Sequence, residues 1–132
     1  MKTQFISLNL DLYGYDLLAP NSWKEYRDIA EFFTGKVSKD GNKIYGAAEA
    51  FARGGQQFWS LFSRAAAYTN HSQFSGAQFF DPDTMRAQIN NPGWLEAVKD
   101  YKEILKFSPP GAIKYGIVEA RKAFIGGQTA LL

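Results

Sequence analysis

The sequence predicts a single domain of α/β class, an α+β lobe of mainly helical content. Three observations carry this. The 132 residues are 45% apolar and only 21% charged, enough to bury one core. Four stretches repeat apolar residues at helical intervals, three of them closed by Gly or Pro. Two short apolar runs, Ile44 to Ala48 and Thr129 to Leu132, read as strands.

The first helix opens at Ser22, which stands in capping-box spacing with Glu25, and Trp23, Tyr26, Ala30 and Phe33 follow in step until Gly35 ends it. Lys39-Asp40-Gly41-Asn42 is turn chemistry before the first strand. After the break at Arg53-Gly54-Gly55, Phe58, Leu61, Phe62 and Ala65 share a face of a second helix that runs to about Tyr68. From Asn70 to Ile89 no period holds, which predicts a loop with a small hairpin around Gln78 to Phe80.

Asn91 caps the third helix with Pro92 at its first position, and Trp94, Val98, Tyr101 and Leu105 form its stripe up to Ser108-Pro109-Pro110-Gly111. Tyr115 to Ile125 gives the fourth, with Ile117, Ala120 and Phe124 in step and Gly126-Gly127 as its stop. Thr129 to Leu132 then reads as a strand only begun, so the chain is expected to be part of something longer.

Charge and composition exclude several functions. Fifteen basic and thirteen acidic residues are interspersed along the chain, so no polybasic footprint for nucleic acid or anionic membrane appears. Zero Cys and one His exclude a disulfide scaffold, a thiolate zinc site and a histidine-rich metal cluster, and no metal or cofactor is expected. Met1 to Asp11 lacks the features of a complete signal peptide. Gly41 and Gly46 have phosphate-loop spacing, but Ala47 and Ala48 stand where Lys and Ser or Thr are needed. Asp81-Pro82-Asp83 lacks the other ligands of a calcium loop and reads as a turn. His71 reads as a surface histidine, and Asn70-His71-Ser72 as a chance glycosylation pattern.

The segment from Glu49 to Trp59 follows a strand and opens a helix, where backbone amides face outward. Arg53, Gln56 and Gln57 are forked hydrogen bonders, and Phe58 and Trp59 offer flat faces. Together they suit the hydroxyl edges and CH faces of a sugar or polyol. The competing reading makes Phe58 and Trp59 core residues and pairs Arg53 with a carboxylate.

Five blocks in order, Tyr13-Gly14-Tyr15-Asp16-Leu17, Pro20 to Tyr26, Phe79 to Met85 with Ile89-Asn90-Asn91-Pro92, Pro109-Pro110-Gly111-Ala112, and Ala123 to Leu131, resemble the extracellular solute-binding proteins of ABC sugar importers, family 1. The resemblance implies a periplasmic-binding-protein-like type II fold of two lobes closing on a sugar. The 132 residues would supply most of the second lobe, one incomplete lobe, with the remaining lobe as its partner. It further implies a periplasmic or cell-surface location, delivery to ABC permease subunits and no catalysis, and it places Arg53, Gln56, Gln57, Phe58 and Trp59 in the cleft. Met1 to Leu12 fits the family poorly. Two alternatives stand beside it: a fragment of a carbohydrate-active enzyme, in which Glu49 would pair with Asp81 or Glu119, and a small helical protein-interaction module.

Overall fold

A computed structural model describes residues 13–14, 18–71 and 79–132. The readings of Met1 to Leu12, of Tyr15 to Leu17 and of the Gln78 end of the expected hairpin fall outside these residues.

Helix α1, Trp23–Phe33, begins at the Ser22 cap, whose Oγ accepts from the Glu25 amide at 3.2 Å. The Glu25 carboxylate reaches one residue past the expected partner and accepts from the Asn21 amide at 2.8 Å. The chain turns through Gly41, in the left-handed region at φ 81°, and enters β1, Tyr45–Ala47. Here α1 crosses the strand closely. A Cβ on Gly46 would stand 2.0 Å from the Ala30 carbonyl oxygen, so no other residue fits without displacing the helix.

Helix α2, Gly55–Thr69, packs along α3, Pro92–Glu103. Asn91 caps α3 as expected, its side chain accepting from the Trp94 amide at 3.0 Å with Pro92 in the first turn. A 3₁₀ turn, Ile104–Phe107, continues α3 and a second, Ala112–Lys114, precedes α4, Ile117–Ile125, which starts two residues later than expected. Strand β2, Thr129–Leu131, lies parallel to β1 with Tyr45 opposite Thr129 and Ala47 opposite Leu131. A parallel pair requires a long crossover, and α2, α3 and α4 form it. Four α-helices and a two-stranded parallel sheet among the described residues make this a small, helix-dominated domain of α/β class.

The main core joins Tyr26, Ala30, Ala47, Phe51, Tyr101 and Ile104, and a second cluster sets Ala65 of α2 against Trp94 and Ala97 of α3. Here the expected stripes need correction. Val98 is 40% exposed and Ala97 is buried in its place: α2 and α3 approach closely at Thr69 and Gly93, and Ala97 packs with Ala65 there. Leu105 is half-buried while Ile104 faces in, since the 3₁₀ turn shortens the period from 3.6 to 3. On α4 the inward residues are Ala120 and Ala123, and Phe124 is 43% exposed. Phe58 of α2 also faces out. In the loop, Phe80 bridges Ala87, and Asp81 accepts from the Thr84 amide and hydroxyl, both at 2.7 Å, which is the turn expected of Asp81-Pro82-Asp83. Those bonds, with the Asp83 amide, hold the Asp81 carboxyl below its ordinary range.

Trp94→Ala should cost about 3–5 kcal/mol as a core aromatic truncation, while Val98→Ala should stay within about 0.5 kcal/mol. Urea denaturation of both variants checks the pair. Equal effects would contradict the burial of Ala97 and the exposure of Val98.

Candidate functional site

The carboxyl ends of both parallel strands open into one cleft of about 1020 Å³. β1 delivers Ala48, Glu49 and Ala50 to it, and β2 delivers Ala130, Leu131 and Leu132. From α2 come Ser60, Ser63, Arg64 and Ala67, spaced as one helical face. The entry of α1 adds Asn21, Ser22 and Trp23, and α4 adds Ile117 and Phe124.

Arg64 organises the floor. It is fully buried, and its guanidinium grips the Glu49 carboxylate with both ends, Nη1 to Oε2 at 2.8 Å and Nη2 to Oε1 at 2.6 Å. Nε donates to Asp100 Oδ2 at 2.9 Å, and Nη1 also donates to the Ser60 carbonyl at 3.1 Å. Asp100 in turn accepts from Arg27 Nη1 at 3.0 Å, which links α1, α2, α3 and the end of β1 in a balanced chain of two cations and two anions. The guanidinium stacks over the Trp23 ring at 4.1 Å and also faces Tyr101 and Tyr26. Burial opposes the charge on Arg64, but the hydrogen bonds and charge of Glu49, then those of Asp100, outweigh it and raise its pKa.

Two phenols feel the same site. Burial, and then the Glu49 charge, push Tyr101 up to about 12, and it donates to the Ala50 carbonyl at 2.7 Å. Burial and Glu49 raise Tyr26 further; its hydroxyl lies near that carboxylate, yet makes no hydrogen bond of acceptable geometry.

None of the five residues expected from sequence lines this cleft. Arg53 and Gln56 are exposed and Gln57 half-buried. Gln56 Oε1 accepts from the Ile117 amide at 3.0 Å, serving the start of α4, whose N-cap Gly116 offers no side chain. Phe58 is 43% and Trp59 65% exposed, so neither is a core residue. Phe58 instead stacks on Phe62 and Phe79 in a surface ladder that leans on Trp94. The residues that sequence reasoning passed over are Arg64 and Trp23, although Arg64 stands in step with Leu61, Ala65 and Tyr68, a cation on an apolar face. His71, expected at the surface, is exposed and contributes to the cleft lining.

The carboxylates considered for catalysis are all engaged. Glu49 is clamped by Arg64, Asp81 closes its turn, and Glu119 Oε2 accepts from the Gly116 amide at 2.9 Å. Among the described residues no cluster of three or more His, Asp or Glu is placed to hold a metal, and no helix is long and apolar enough to cross a membrane. No protein-family model matches the chain, and no curated protein matches it.

Arg64→Met strands the buried Glu49 carboxylate and leaves Asp100 with Arg27 alone, and should cost about 3–5 kcal/mol. Arg64→Lys should also destabilise, since an ammonium cannot serve Glu49 and Asp100 together while covering Trp23. Chemical denaturation measures both, and wild-type stability in the lysine variant would show that the forked geometry is dispensable.

Tyr26 and Tyr101 keep their protons in the folded state where unfolded tyrosines, at about 10, begin to lose them. Their contribution to stability is therefore complete below pH 10 and falls as pH rises toward 12. Unfolding free energy measured at pH 8, 10 and 11 should be level across the first step and drop across the second.

Proposed function

We propose that this chain is the ligand-binding part of an ABC importer's solute-binding component, taking a sugar or polyol and passing it to permease subunits, without catalysis. The observation that carries the reading is the position of the cleft. Ligands of open α/β sheets bind in the crevice beyond the carboxyl ends of the strands, and both strands end there. An aromatic ring at Trp23, hydroxyls at Ser22, Ser60 and Ser63, and the rigid Glu49 carboxylate suit CH faces and hydroxyl edges. The order of the sequence blocks supports the finer assignment, a periplasmic-binding-protein-like lobe on the periplasmic or cell-surface side. Its mechanism is population shift: the sugar binds the closed arrangement of two lobes better than the open one. Glu49, Asp81 and Glu119 are each committed to structural bonds, which favours binding over the glycosidase alternative.

On this reading the 132 residues supply one wall of the ligand site. A micromolar binder has about 8 kcal/mol of net binding free energy. With half the contacts and the full association cost, roughly 4 kcal/mol or more, the expected affinity is millimolar or weaker. The three tryptophans report on three places: Trp23 in the cleft, Trp59 on the α2 surface and Trp94 in the core. Their indole N–H signals, assigned by Trp23→Phe and Trp59→Phe, should be followed during titration with neutral mono- and disaccharides. Movement of the Trp23 signal at millimolar sugar is expected. Movement of Trp59 alone would return the site to Arg53, Gln56, Gln57, Phe58 and Trp59, and no movement with any sugar would refute the assignment.

A further inference from the structure

The polar side chains of the cleft's lining come from α1, α2 and the segments beside them, and none comes from α4 or β2. The entry of α1 and the inner face of α2 contribute Asn21, Ser22, Ser60 and Ser63 beside the rings of Trp23, Tyr26 and Tyr68. α4 and β2 contribute only apolar side chains, among them Ile117, Phe124, Leu131 and Leu132. Phe124 and Leu132 are exposed large hydrophobics, so this wall has apolar surface open to a ligand.

Charge narrows the ligand further. The guanidinium of Arg64 has five N–H donors. Four are spent on Glu49, Asp100 and Ser60, and its face is covered by Trp23. Lys24 at the rim is paired with Asp28 at 2.6 Å. An anionic ligand would therefore meet a floor whose positive charge is already neutralised, with the exposed His71 as the one other basic side chain in the lining, and would lose its hydration without a buried cation in return. The volume, about 1020 Å³, lies at the upper end of small-molecule sites and leaves room beyond a single sugar ring.

Building on the sugar-binding reading, we infer that the cleft takes an uncharged glycoside whose apolar substituent lies against the wall of Ile117, Phe124, Leu131 and Leu132, with its hydroxyls toward α1 and α2. Phe124 is then a specificity-determining residue, one that sets preference by the substituent.

The test uses the 132-residue chain and the Trp23 indole signal, titrated with the methyl and phenyl glycosides of glucose, galactose and mannose and with the corresponding uronic acids. For whichever sugar binds, the phenyl glycoside should bind about tenfold or more tightly than the methyl glycoside, because it buries an additional ring. The uronic acid should bind more weakly than the neutral sugar, and Phe124→Ser should bring the phenyl-to-methyl ratio toward one. Equal binding of the two glycosides, an undiminished ratio in Phe124→Ser, or a uronic acid that binds as well as its neutral counterpart would overturn this inference and leave the sugar-binding reading in place. Silence of the Trp23 signal with every glycoside would overturn both.

Discussion

One buried cation sets the relative positions of most of this molecule. Arg64 on α2 reaches the end of β1 through Glu49, α3 through Asp100, and α1 through the Trp23 ring and the shared Asp100–Arg27 pair. Its desolvation is costly, and only the full set of partners in good geometry repays it. A small slide of α2 or α3 would break a buried charge pair. Hydrophobic contact tolerates such slides far better, since it has no direction. The ion chain therefore specifies the arrangement, and the apolar core supplies most of the cohesion around it.

That core is built largely from alanine and glycine where elements cross. Ala30 over Gly46, Thr69 against Gly93, and Ala97 beside Ala65 bring backbones close together and push the bulky residues outward. The same economy exposes Phe58, Trp59, Val98 and Phe124. Surface aromatics in this chain follow from tight helix packing as much as from any need to bind.

Features that depend on neighbours in sequence were legible from it. The Ser22 and Asn91 caps, Pro92 in a first turn, the Gly41 turn, the Asp81 turn and both strands were found because each is decided within a few residues. The orientation of the helix faces was only half legible. Assigning the largest apolar residues inward failed at Val98 and Phe124, where the alanines Ala97, Ala120 and Ala123 take the buried positions. The cleft was least legible. Its floor joins Glu49, Arg64 and Asp100 from three separate elements, and the hydrogen-bonding residues that drew attention at the start of α2 face elsewhere. A charged residue in phase with an apolar stripe was the available clue.

The pairing of Tyr45 with Thr129 joins positions 84 residues apart, so the sheet closes only where the intervening helices bring its two strands side by side. Contacts of such separation carry a larger loop-closure cost than the local contacts of the helices. Because both strand ends border the cleft, its shape rests on this one long-range pairing, and fraying of β2 from β1 would alter the cleft without unwinding any helix.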